Sequence, residues 1–235
     1  LMAVKEGMIG MAFTNARPSV APTFSTQPML GTNPIAFGAP TDEECPFLFD
    51  AATSIAQRGK IEVLEREELP TPEGWVIDIN GQYPTNTEQI LKGFLTQENA
   101  LLPIGGLGEL LGGHKGFGLS VMVEILCASL QSNAYLHHLP GGAGLPVQVG
   151  HFFIAINIEH FLPLDEFKHT TGEILRELRA ARKSPGHDRI FTAGEKEFLM
   201  EKEIAQKGIP VIPNLQKDLN FLKNELGLDQ YHFPF

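Results

Sequence analysis

Apolar residues run unbroken from Met8 to Phe13, a length that reads as a buried strand. Phe47-Leu48-Phe49 is a second run; it reads as a buried strand that delivers the Asp50 carboxylate at its end. Phe152 to Ile158 is a third, read as a strand with both faces covered. Trp75, Ile77 and Ile79 alternate with Val76, Asp78 and Asn80 before Gly81, the pattern of a half-buried strand that stops in a turn. The stretch Arg17 to Pro40 holds Pro18, Pro22, Pro28, Pro34 and Pro40 and too few periodic apolar residues for a helix, yet Ile35-Ala36-Phe37 within it reads as buried.

Helical spacing dominates elsewhere. Phe117 to Gln131 is apolar nearly all round, which predicts a buried helix. Asp165 to Arg182 places Phe167, Ile174, Leu175, Leu178 and Ala181 on one stripe. Glu195 to Lys207 is helical with Gly208 as its cap, Ile209 to Ile212 is a short extended piece, and Leu215, Leu219, Leu222 and Leu226 mark a last helix closed by Gly227. Leu1 to Gly7 reads as the back half of a helix begun upstream, ending in a glycine cap. Gly141 to Gly150 is rich in Gly and Pro and reads as a mobile loop. There is no internal repeat. Together these predict an α/β fold: a layered mixed sheet with flanking helices and a helical C-terminal flank.

Composition narrows the functional classes. The 235 residues are 43% hydrophobic and 20% charged, a globular balance with enough apolar side chains for a core. A net charge of −10 argues against coating nucleic acid, which needs a basic face. No apolar run reaches a membrane span. Two cysteines, Cys45 and Cys127, cannot build a disulfide framework, and no basic-plus-apolar leader opens the chain, so the cytoplasm is the expected compartment.

Three constellations could carry chemistry. Gly112-Gly113-His114-Lys115-Gly116-Phe117-Gly118 precedes the buried helix, where free N–H groups, close backbone approach and one lysine could cradle a phosphate or carboxylate. It is equally readable as a flexible loop with a solvated lysine. The dinucleotide fingerprint fails because Leu111 stands where a third glycine belongs, and the P-loop fails because His114 precedes Lys115. Gly31-Thr32-Asn33-Pro34 reads first as a turn. Asp50-Ala51-Ala52-Thr53-Ser54 fits a strand-end site or a helix cap. No His-x3-His or Cys-x2-Cys spacing occurs, so no metal site is expected.

In this order the motifs resemble the type 2 malate/L-lactate dehydrogenase family, which includes sulfolactate and ureidoglycolate dehydrogenases. The resemblance runs over almost the whole chain. It is carried by Gly31 to Phe37, Phe49 to Ser54, Gly59-Lys60, Gly74-Trp75 with Asp78, Gly81, Pro84 and Thr85, and Leu102-Pro103 with Gly105-Gly106. It continues in Lys115 to Leu119 with Val123 to Leu126, and in Gly194-Glu195 ahead of Gly208 to Pro210. It implies a non-Rossmann nicotinamide-binding fold, a homodimer, and hydride transfer between NAD(P) and a small 2-hydroxy or 2-keto acid. It puts cofactor contacts at Thr14, at Leu48, Phe49 and Asp50, at Lys115, and at Ala193, Gly194 and Glu195, with Thr32 and Asn33 toward the substrate. Asp50 on a ribose favours NAD over NADP. Residues 1–192 would form the cofactor-binding domain, and 193–235 a helical segment packing on an N-terminal helical part. The family's acid/base histidine motif and its substrate arginine are expected upstream of Leu1, so no catalytic residue is assigned within the chain. The alternative is a non-catalytic remnant that binds nucleotide or a partner subunit. Pro140 to Gly150 resembles a shortened form of a longer family loop.

Overall fold

The computed structural model describes residues 1–140 and 146–235. Its centre is a four-stranded sheet made of β1 (Met8–Thr14), β2 (Ile35–Ala39), β3 (Phe47–Ala51) and β6 (His151–Asn157), in the order β3-β2-β1-β6. Every pairing in it is antiparallel, so the expected mixed sheet is corrected to an antiparallel one. β3 and β6 are the two edges, and this overturns their reading as fully buried strands. Phe49 is exposed on β3, and Phe153 on β6 keeps 71% of its surface. A short continuous apolar run is compatible with burial but does not by itself say whether the strand is central or at an edge.

Registered partners share a face, which sorts the sheet into two sides. On one side, Met11 and Phe13 of β1, Ile35 of β2 and Phe152 and Ile154 of β6 pack against Val123 and Cys127 of α4 (Gly113–Cys127). On the other, α1 (Met2–Lys5) lies over the Gly10–Gly38 pair: a Cβ on Gly10 would stand 3.0 Å from Ala3 Cβ, and one on Gly38 2.8 Å from Val4 Cγ2. The helix that ends at Gly7 is therefore present as a single short turn-and-a-bit against the sheet.

A second lobe contains α2 (Arg58–Arg66), β4 (Val76–Asp78), α3 (Thr87–Thr96) and β5 (Asn99–Leu101), with β4 and β5 antiparallel. Its core gathers Ile61, Val76, Ile90 and Leu101 with Val20 and Leu30 from the proline-rich stretch. Ile77 is buried and Trp75 packs on the core as expected, but Val76 is an interior residue too, because β4 is covered on both sides, and Ile79, past the end of the strand, is exposed.

α4 begins four residues earlier than predicted, at Gly113, and a 3-10 turn over Ser129–Gln131 follows it. It is not buried all round: Leu119, Met122 and Ile125 face outward. α5 (Leu164–Ala180) buries Gly172 and Leu175, while Ile174 and Leu178 of the predicted stripe are exposed. α6 (Glu195–Lys207) follows, and α7 (Pro213–Glu225) has no buried residue. Of the loop expected at Gly141 to Gly150, residues 141–145 lie outside the described residues. Gly150 is anchored by its N–H to Asn15 Oδ1 at 2.7 Å. Among the described residues no helix is long and apolar enough to cross a membrane.

Candidate functional site

The face carrying α1 is only partly covered. One row of partners beyond Gly10 and Gly38, four residues line up straight across the sheet: Phe153 on β6, Ala12 on β1, Ala36 on β2 and Asp50 on β3. The two alanines form a low floor between an aromatic ring and a carboxylate. With strands about 4.8 Å apart, the row spans roughly 14 Å. Asp50 is exposed, and among the described residues its side chain makes no hydrogen bond or ion pair. Thr14 closes β1 at the next position on this face and pairs in register with His151. Their side chains share a hydrogen bond, Thr14 Oγ1 to His151 Nδ1, of 2.8 Å.

At the β3 end, the loop before α6 docks on the edge strand. The Leu48 N–H donates to the Ala193 carbonyl at 3.2 Å. Gly194 has φ +88, and a Cβ there would stand 2.9 Å from Leu48 Cβ, so only glycine fits this approach. Between loop and strand lies an open cleft of about 440 Å³ lined by Leu48, Phe49, Asp50, Phe191, Ala193 and Lys196 among others. Arg189 and Lys196 both stand over the Phe191 ring, at 4.8 and 5.1 Å from its centroid, leaving cationic groups beside the cleft.

The structure therefore brings Thr14, Leu48, Asp50, Ala193 and Gly194 to one side of the sheet, with Phe49 at the cleft. Glu195 belongs to a different layer. It is 4% exposed, and its carboxylate is held by Arg189 and by the Thr192 N–H at 3.1 Å, so it closes the loop from within. Lys115 lies in the first turn of α4, exposed and without an ion-pair partner among the described residues. That helix packs against the opposite side of the sheet. Its first turn reaches the sheet's end, because Gly116 presses on Ile104 and the Ile104 N–H donates to the Thr53 carbonyl at 2.9 Å.

Of the two residues expected toward the substrate, Thr32 is half-buried and Asn33 lies inside the fold. Thr32 gives its carbonyl to the Thr53 N–H at 2.9 Å and the Thr53 hydroxyl at 3.1 Å. Asn33 is fully buried. Its amide donates to the Ser120 carbonyl and to Glu124 Oε2, each at 3.0 Å, and its Oδ1 accepts from the Ala16 N–H at 3.1 Å. Asn15 donates to the other Glu124 oxygen at 3.2 Å, and the Leu136 N–H adds 2.9 Å. This buried carboxylate with its amides is a structural knot tying β1, β2 and α4 together. Sequence reading missed it because its members are separated by as many as 109 residues.

A second cluster missed by the sequence latches the β2–β3 connection to α5. Arg176 pairs with Asp42 at 2.9 Å and Glu43 at 3.1 Å, and Arg179 also pairs with Glu43. The Arg176 guanidinium holds the Asp42 carboxyl at about 2, well under its ordinary value, and Arg179 lowers that of Glu43. Burial pushes the thiols of Cys45 and Cys127 upward. A larger cleft of about 540 Å³ opens two residues past Thr14, between Ala16–Ser19, Arg58, Phe94, Asn99 and His137. Its lining includes Arg17 and Arg58, the latter paired with Glu62 at 2.9 Å, and no carboxylate among the described residues. Among the described residues no group of three or more His, Cys, Asp or Glu side chains converges as a metal site.

Comparison with known proteins places the chain in a family. A family model described as malate/L-lactate dehydrogenase matches residues 1–220. A malate dehydrogenase of Pyrococcus horikoshii is 44% identical over 229 residues, covering 97% of this chain and 62% of that protein. A malate/(S)-sulfolactate dehydrogenase of Methanothermus fervidus is 33% identical and covers 97% of the chain and 62% of its own length. The crystal structure of malate dehydrogenase from Entamoeba histolytica superposes with a TM-score of 0.91 at 39% identity, covering the whole chain and 65% of that protein. The chain thus spans about three-fifths of the length of these relatives. On a match that runs through all six strands and both flanks of the sheet, the chain belongs to the malate/L-lactate dehydrogenase family.

Proposed function

We propose that the open sheet face holds a nicotinamide dinucleotide, and that the chain is the cofactor-holding part of a dehydrogenase acting on a small 2-hydroxy acid. The observation that carries this is the row Phe153–Ala12–Ala36–Asp50, which leaves a low floor with a free carboxylate at one end and aromatic and hydroxyl groups at the other. The residues fit the cofactor. Asp50 accepts from ribose hydroxyls, which favours NAD over a 2′-phosphorylated ribose. The cleft between Leu48 and Gly194 takes the adenosine end. Lys115, open to solvent at the sheet's end, supplies a cation for the pyrophosphate. In this reading the cofactor lies on an antiparallel sheet, not at the switch point of a parallel one.

A bound nicotinamide supplies the hydride chemistry; the chain's own residues bind and orient it. The relatives are named for malate, sulfolactate and pyrroline-2-carboxylate, all small carboxylic acids. Arg17, in the cleft beyond Thr14, is suited to receive such a carboxylate. Residues 1–192 then serve the cofactor, and 193–235 buttress its cleft through Gly194 and offer the outer faces of α6 and α7 to further protein. A homodimer fits the exposed Leu119, Met122 and Ile125 of α4 and Phe221, Leu222 and Leu226 around α7. No histidine here lies in the family's acid/base motif, so turnover is tested on protein carrying the relatives' full length. Screened with NAD and NADP against malate, lactate, sulfolactate and ureidoglycolate, it should change NAD(P)H absorbance with at least one. Silence on all four with cofactor bound would leave a nucleotide-holding remnant as the better reading.

A further inference from the structure

Asp50 accounts for one end of the row across the sheet; the other end is built from residues to which the sequence assigns no role. Phe153 lies on an edge strand, is 71% exposed, and sits directly opposite Ala12, which has no bulk to cover it. Two residues before it on the same face, the His151 ring stacks beside Phe153, with centroids 6.1 Å apart and planes 20° from parallel. His151 is fixed from two directions. Thr14 Oγ1 meets its Nδ1 at 2.8 Å, and Gln131 Nε2 donates to its backbone carbonyl at 2.5 Å. An exposed aromatic ring on a sheet edge ordinarily costs stability and invites aggregation. Here it is held nearly parallel to an imidazole whose orientation is set by a hydroxyl.

We propose that His151 and Phe153 form the platform for the nicotinamide end of the cofactor, with Phe153 stacking on the flat ring and His151 Nε2 reading its carboxamide. The inference rests on the cofactor reading above and adds which end of the dinucleotide lies where. With Nδ1 tied to Thr14, the outward Nε2 is the group left to meet a ligand. A carboxamide carries both a donor and an acceptor, so it satisfies His151 in either tautomer. The roughly 14 Å of sheet between Asp50 and Phe153 separates the adenosine cleft from this platform. Thr14 acts as a positioning residue that fixes the imidazole.

The test compares NADH with ADP-ribose, which keeps the adenosine and pyrophosphate but lacks the nicotinamide ring. Phe153→Ala, Phe153→Leu and His151→Ala should each weaken NADH binding by about five- to a hundredfold, the range of ring stacking, while ADP-ribose affinity stays within about twofold. Phe153→Leu keeps an apolar side chain on the strand without a flat ring, so it separates stacking from folding, and the melting temperature of each variant checks the fold. Asp50→Ala should weaken both ligands. If wild-type protein binds both and the platform variants weaken neither, or weaken both alike, the platform is wrong and the cofactor reading stands. If wild-type protein binds neither ligand, the cofactor reading itself falls and the platform with it.

Discussion

Asn33 shows how far a single residue's meaning depends on its surroundings. Its motif suggested a turn, and family resemblance suggested a substrate contact. The structure buries it completely, with both polar atoms of its amide engaged, by Ala16 just past β1 and by Ser120 and Glu124 of α4. Removing one partner from a buried network leaves the others unsatisfied and costs about 1–3 kcal/mol. Asn33→Ala should therefore lower stability by that amount in urea unfolding, and an unchanged midpoint would show the network to be solvated. Asp42 makes the complementary case at the surface. Arg176 holds its carboxyl at about 2 against an ordinary 3.8. A depressed carboxyl stabilises the fold above its unfolded value and loses that contribution as pH falls through the folded one. Arg176→Met should thus be less stable than wild type at pH 5, with the gap closing as pH falls from about 4 toward 2. A gap independent of pH would mean that Arg176 acts through packing alone. Asp50 was legible in the sequence as a carboxylate at a strand end, since strand and terminal residue are adjacent in the chain. The partners of Asn33 and Asp42 were not, because tertiary folding alone brings residues 91 and 134 positions away into contact.

Elements were legible where their periodicity was local. β1, α6 with its Gly208 cap, and the closing helix α7 fall where spacing and glycine placed them. What spacing could not show was sidedness. β3 and β6 carry the same unbroken apolar letters as interior strands, yet both are edges, with one face of the sheet left open beyond α1. α4 is apolar all round, yet only one side meets the sheet. The loop ahead of α6 is the element that converts an edge into a cleft. Its Gly194 needs a left-handed backbone and touches Leu48 at a distance no side chain allows. Alanine pays about 1–2 kcal/mol for the left-handed conformation alone. Gly194→Ala should lower the melting temperature and weaken NAD(P)H binding together, because the loop must lift from β3. Loss of stability with cofactor affinity intact would detach this loop from the binding site.

At the scale of the whole molecule, an acidic chain of net charge −10 presents a neutral trough between one free carboxylate and one aromatic edge, with Lys196 lining the cleft at the carboxylate end and Lys115 exposed on the helix that packs against the other side of the sheet. A dinucleotide matches that distribution: hydroxyls for Asp50, phosphates for lysine, a flat ring for Phe153. The exposed apolar sides of α4 and α7 are the surfaces on which the proposed partner subunit would pack, and because the chain spans three-fifths of its relatives' length, the proposed cofactor binding is the property to test first. The most direct measurement is calorimetric titration of NADH and NADPH into wild-type protein, Asp50→Ala and Lys115→Ala. Saturable one-site binding by wild type is expected, NADH tighter than NADPH. Each variant should weaken it by about 1.5–3 kcal/mol, the scale of a charged hydrogen bond, roughly 10- to 100-fold, with melting temperatures unchanged because both side chains are exposed and free of ion pairs among the described residues. No saturable binding by wild type, or an affinity indifferent to Asp50→Ala, would contradict the assignment of this sheet face to the cofactor.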